Sequence, residues 1–118
     1  VVSNHMKIKL KEYGCPLDKV IYSPAGAEES FFNLTPSFSG NQVLSIGRFV
    51  DKKAPHLSVL AFKKVLDKIP GAKLFMAGKG PLLGVVQDIV QSIGISDSVS
   101  FIGEINQEQQ KEFLIYLV

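Results

Sequence analysis

"VLSIGRFVDKKAP", residues 43–55, decides how this chain is read. Val43-Leu44-Ser45-Ile46 is a short apolar run that stops at Gly47. Arg48 follows at once, then Lys52, Lys53 and Pro55. An apolar run of that length closed by a glycine reads as a strand buried on both faces. Pro55 suits the first turn of a helix, where its missing N–H is not needed. The stretch is therefore a strand, a charged turn and a helix start, the opening of a βα unit.

Outward from it the pattern repeats. Leu57, Leu60, Ala61, Val65 and Leu66 recur at helical spacing, with Lys63, Lys64, Asp67 and Lys68 on the other side, and Pro70-Gly71 ends the helix. "AKLFMAGKG", residues 72–80, is a second buried strand running into a glycine turn. The next helix carries Leu82, Val86, Ile89, Val90 and Ile93 on one face, and Gly94 supplies its C-terminal cap. "SVSFIG", residues 98–103, is a third strand, and Asn106 caps a helix that begins in "NQEQQKEFLIYLV". Units spaced by roughly 25 to 30 residues predict an α/β fold, a Rossmann-like parallel sheet with flanking helices. In the doubly wound order its strands lie 3-2-1, and a fourth would pair on the far side of the first.

Residues 1–35 read differently. "KIKLKEY" fits either a strand or a helix, because Ile8 and Leu10 alternate with lysines while Met6, Leu10 and Tyr13 share a helical face. "KVIYSP", residues 19–24, reads as one more strand. "AGAEESFFNLTPSFSGNQ" has no sustained periodicity and reads as a connector, which divides the chain into residues 1–35 and 36–118.

Composition excludes several functions. The 118 residues carry 13 basic and 11 acidic side chains, too even a balance to argue for nucleic acid. No stretch is long and apolar enough to span a membrane. Cys15 is the single cysteine, so there is neither a disulfide frame nor a thiolate metal site, and a reducing, cytoplasmic setting is expected. No pair of carboxylates shows metal-ligand spacing, and of the two histidines, His5 and His56, the second reads as first-turn helix surface.

The charged turn gains its meaning from topology. In an open parallel sheet, ligands bind beyond the C-terminal ends of the strands. "GRFVDKKAP", "GKGP" and "GEIN" all fall there, on one edge. Helix N-termini present free N–H groups and partial positive charge at that edge. Arg48 and Lys53 add fixed charge, and a dense anion such as a diphosphate is the simplest partner. Gly78 and Gly80 would let backbone approach a ligand closely. Solvated loop charges are the plain alternative, and Gly-Lys-Gly alone is a weak signal.

Taken in order, "VLSIGRFVDKKAPHLSVLAFKKV", "PGAKLFMAGKGP" and "SVSFIGEIN" resemble the donor-binding domain of the group 1 retaining glycosyltransferases, which have the GT-B architecture. "VVSNHMKIKLKEYGCPLDKVIYSPAGAEESFF" resembles the end of the acceptor-binding domain and its linker. The resemblance implies a partial GT-B C-terminal domain at residues 36–118, preceded by an acceptor-domain tail and linker at 1–35. It implies that Arg48 and Lys53, five apart, hold the diphosphate of a nucleotide-sugar donor. Gly47, Gly78 and Gly80 would line the donor pocket, and Ile105 would pack against the base. Lys52 stands where the family often has an acid. Ala25 and Glu28 depart from its Pro-Asn-Gly-Val-Asp stretch. The family's spaced pair of donor-site glutamates is expected beyond Val118, so no residue here is read as catalytic.

These implications describe a fragment of a hexosyltransferase that moves a sugar from a nucleoside diphosphate to an acceptor with retention. The donor is a substrate, and no cofactor or metal is expected. The rival reading is a non-catalytic nucleotide-binding or assembly module, and an epimerase of the same shape fits the motifs less well. If no fourth strand follows, the first strand is an open edge, and self-association through it is expected.

Overall fold

The computed structural model describes residues 1–35, 37 and 40–115 of the chain. They fall into two compact units, Val1–Asn33 and Leu34–Val118.

In the first unit, helix α1 spans Asn4–Glu12. This settles the ambiguous lysine-rich segment in favour of helix. The Ser3 side chain accepts a hydrogen bond from the Met6 N–H at 3.2 Å and caps its start. Gly14, at φ 82°, closes its end, with the Cys15 N–H donating to the Leu10 carbonyl at 2.9 Å. The strand expected over "KVIYSP" does not form. Leu17–Lys19 is a single 3-10 turn, and an extended segment without a ladder follows. Strands need neighbours, and among the described residues this segment bonds to the chain's first residue instead: the Val1 ammonium donates to the Ile21 carbonyl at 2.6 Å, and the Ser23 N–H donates to the Val1 carbonyl at 2.8 Å.

The second unit is a three-stranded parallel sheet with flanking helices, an α/β arrangement as expected. Its elements are β1 (Gln42–Ile46), α2 (Pro55–Leu66), β2 (Lys73–Ala77), α3 (Leu83–Ser92), β3 (Val99–Gly103) and α4 (Gln107–Ile115). The sheet order is β1-β2-β3, with β2 central, which is the expected 3-2-1 succession. The β1–β2 register runs from Gln42 opposite Lys73 to Ile46 opposite Ala77. Between β2 and β3 it slips by one residue, so that Met76 faces Phe101 but Ala77 faces Gly103. The slip is a bulge, and it bends the end of β3 at the sheet edge where the loops gather.

The core forms between the sheet and α2 and α3. Phe49, Leu74, Met76, Val59 and Val86 are fully buried, and Phe62, Ala72, Val90, Ile95 and Val99 join them in the cluster. Burial on both faces holds for β2 but not for β1, whose Val43 and Ile46 are 36% and 49% exposed. The reason is position: β1 is an edge strand among the described residues. The buried stripe of α2 also differs from expectation. Pro55, Val59 and Phe62 face the core with Leu66 beside them, whereas Leu57, Leu60, Ala61 and Val65 face outward. This helix is apolar around most of its circumference, so periodicity alone allows two stripes. On α3 the expected face is the buried one, carried by Val86 and Val90 with Leu82, Ile89 and Ile93 packed alongside.

Candidate functional site

All three loops after the strands meet at one end of the sheet, and backbone hydrogen bonds lace them together. The Gly47 N–H donates to the Ala77 carbonyl and the Phe49 N–H to the Lys79 carbonyl, both at 2.9 Å. The Leu82 N–H donates to the Phe49 carbonyl at 3.0 Å, and the Gly78 N–H donates to the Gly103 carbonyl at 2.6 Å. Parallel pairing thus continues past the strands proper and holds the turns in fixed register.

Gly78 and Gly80 make this lacing possible. Their φ angles are +135° and +154°, a region that favours glycine. A Cβ on Gly78 would overlap the Gly47 carbonyl oxygen, and one on Gly80 would overlap the Phe49 carbonyl oxygen. The close backbone approach expected at these glycines is therefore to the chain's own Gly47–Phe49 loop. Phe49 anchors that loop, being 2% exposed and packed on Phe101 with ring centroids 6.1 Å apart.

With Phe49 turned inward, Arg48 is turned out to solvent. It lies between two hollows. The first, of about 70 Å³, is lined by Gly47, Arg48, Lys53, Pro55 and Ser58 among others, and none of its lining residues is acidic. The second, of about 230 Å³, is lined by Gly47, Arg48, Gly78, Lys79, Glu104 and Ile105, together with Ile46 and Ala77. Five of the six expected site residues, Gly47, Arg48, Lys53, Gly78 and Ile105, are thus brought to one rim. Gly80 lines neither hollow and acts as a spacer beneath the Phe49 backbone.

Lys53 is positioned by a 3-10 turn, Asp51–Lys53, that runs straight into α2. The link is Ala54, whose φ and ψ of 44° and 53° are left-handed. It turns the chain into α2, whose Pro55 and Ser58 line the same hollow as Arg48 and Lys53. No side chain caps α2; Pro55 has no N–H and the Leu57 N–H donates to the Ala54 carbonyl at 2.9 Å, which leaves the His56 N–H at the helix start for a partner on the rim. Among the described residues, neither Arg48 nor Lys53 makes a side-chain ion pair or hydrogen bond. Two uncompensated cations and an uncapped helix start therefore share one small concavity. That arrangement suits a compact, multiply charged anion.

One feature of the rim was not singled out from sequence. The Lys79 ammonium and Glu104 carboxylate form an ion pair at 2.7 Å on the wall of the larger hollow. The signal lay in opposite charges just past the ends of adjacent strands, but it needed the Ala77–Gly103 register to be read. His56, by contrast, lies half-buried in the first turn of α2. Among the described residues, no group of three His, Cys, Asp or Glu side chains is placed to hold a metal ion. Nor is any helix among them long and apolar enough to cross a membrane.

Known proteins resemble this chain in sequence and in fold. The chain is 28% identical over 114 residues to an uncharacterized glycosyltransferase, YqgM, of Bacillus subtilis, covering 97% of this chain and 32% of that protein. It is 22% identical over 119 residues to a Mycobacterium tuberculosis GDP-mannose-dependent alpha-(1-6)-phosphatidylinositol monomannoside mannosyltransferase, covering 92% of this chain and 31% of that protein. Among solved structures, S. aureus TarM, in complex with Fondaparinux, alpha-GlcNAc-glycerol and UDP, superposes with a TM-score of 0.79 at 16% identity, over 98% of this chain and 23% of TarM. The pneumococcal O-GlcNAc transferase GtfA, in complex with UDP and GlcNAc, gives 0.76 at 18% identity, over 92% of this chain and 22% of GtfA. These structures share the fold, and the chain spans about a third of the length of these two curated relatives. Residues 27–116 match the family model of the glycosyl transferases group 1, and the chain belongs to that family.

Proposed function

We propose that residues 36–118 form half of a nucleotide-sugar donor site in a retaining hexosyltransferase, and that residues 1–35 are the tail of its acceptor-binding domain and linker. The observation that carries this reading is the pair of unpaired cations, Arg48 and Lys53, lining one hollow that no carboxylate lines, beside the start of α2, which no side chain caps. The named ligands of TarM and GtfA, both of which include UDP, support a nucleoside diphosphate as the anion. In that role Arg48 and Lys53 grip the diphosphate, Gly47 and Gly78 form the floor, and Ile105 packs against the base.

The chemistry supplied here is leaving-group stabilisation. As the bond between sugar and diphosphate breaks, negative charge builds on the phosphate, and preorganised cations meet it without a reorganisation cost. Acid, base and acceptor contacts come from elsewhere in a longer protein. Self-association through the open edge of β1, where Val43 and Ile46 are exposed, belongs to the same proposal.

Calorimetric titration of UDP into the chain and into Arg48→Ala and Lys53→Ala tests the assignment. One charge-assisted contact is worth about 1.5–3 kcal/mol, and at an exposed rim the lower end applies, so each substitution should weaken binding by roughly tenfold. Equal affinity for all three proteins would remove both residues from the site.

A further inference from the structure

Lys79 and Glu104 stand on the wall of the hollow that also holds Arg48, yet the diphosphate reading leaves them without a task. Their side chains are 74% and 62% exposed. An ion pair so exposed contributes little, so a denser anion at Arg48 can draw the ammonium away. Lys79 can make that move, because its stem is flexible and its ammonium carries three donors. Its main chain cannot, being fixed by the hydrogen bond from the Phe49 N–H to its carbonyl, which sets Lys79 beside the Arg48 turn.

We propose that Lys79 is a third cationic ligand of the diphosphate and that Glu104 competes for it, which limits how tightly the site holds its anion. The proposal rests on the diphosphate reading above and adds a specificity device to it. A competitor of this kind matters most for release. The diphosphate product carries more charge than the donor, and a site with three unopposed cations would retain it. With Glu104 at 2.7 Å, Lys79 has a partner to return to when the product leaves.

The test is a double-substitution cycle read by calorimetry, with inorganic pyrophosphate and UDP as the probes. Lys79→Met keeps the apolar stem and should weaken binding of both probes by about three- to tenfold. Glu104→Gln should tighten it by about two- to fivefold, the worth of one exposed ion pair. In the Lys79→Met background the same Glu104→Gln change should have no effect, because no ammonium remains to be released. A gain from Glu104→Gln that persists without Lys79 would mean plain charge repulsion and would overturn the proposal. So would a Lys79→Met variant that binds as tightly as the parent chain. Arg48→Ala, measured alongside, separates the two levels. If it weakens the binding about tenfold while the cycle is flat, only the competition is wrong; if it leaves pyrophosphate and UDP binding unchanged, the diphosphate reading itself fails.

Discussion

Substituting Gly78 by alanine perturbs the point where two loops of the site are held at contact. Gly78 has φ +135°, and an added Cβ would overlap the Gly47 carbonyl oxygen and stand 2.9 Å from its carbon. Neither atom can step aside cheaply, because both belong to backbone that is hydrogen-bonded to the neighbouring strand. Holding alanine in this conformation costs about 1–3 kcal/mol. Opening the contact strains the bonds from the Gly47 N–H to the Ala77 carbonyl and from the Gly78 N–H to the Gly103 carbonyl, at about 0.5–1.5 kcal/mol each. Alanine also restricts the unfolded chain, which returns about 0.4–1 kcal/mol. The expected net loss is about 2–4 kcal/mol. The chain has no tryptophan, so circular dichroism during urea unfolding is the suitable assay. With a slope of about 1.5 kcal/mol/M the midpoint should fall by roughly 1.5–2.5 M. Gly84→Ala is the control. Gly84 lies in α3 with nothing within 4 Å of an added Cβ, and there alanine should stabilise by up to about 1 kcal/mol. A Gly78→Ala midpoint within about 0.3 M of the parent, well under the expected loss, would refute the claim that this glycine is required by loop lacing.

Phe49→Ala, emptying a site that is 2% exposed, should cost about 3–5 kcal/mol in the same assay and should weaken UDP binding as the Arg48 loop loses its anchor. The start of α4 is closed by reciprocal bonds, Gln109 N–H to the Asn106 side chain at 2.9 Å and Asn106 N–H to the Gln109 side chain at 3.0 Å. Asn106→Ala should therefore cost about 1 kcal/mol and speed hydrogen exchange in the first turn of α4. At Ala54, left-handed at φ 44°, glycine should be close to neutral in thermal unfolding while valine should lower stability by about 1–2 kcal/mol.

The fold of residues 42–115 was legible because its signals are local and redundant: apolar runs closed by Gly47, Gly78 and Gly103, helical stripes between them, and Asn106 where a cap was needed. What the sequence left open depends on neighbours. Pattern alone cannot choose between Leu57, Leu60 and Val65 and the stripe of Val59 and Phe62, because both are apolar and only the sheet decides which turns inward. "KVIYSP" has strand composition but no strand beside it. At the site, the gathering of Arg48, Lys53 and Ile105 follows from parallel topology and was readable. The reason for Gly78 and Gly80 was not, since it lies in the approach of a loop some thirty residues away in sequence. A comparable separation in sequence hid the Lys79–Glu104 pair.

Isotope-labelled chain titrated with UDP and followed by amide chemical shifts tests the central claim most directly, because it locates the anion without any substitution. Binding at the proposed edge should move the amides of Gly47, Arg48, Lys53, His56, Gly78 and Ile105 along a single saturating curve, while those at the far end of the sheet, Gln42 and Lys73, stay fixed. Saturable shifts confined to other surfaces, or none at millimolar UDP, would contradict the assignment of this sheet edge as a nucleoside-diphosphate site.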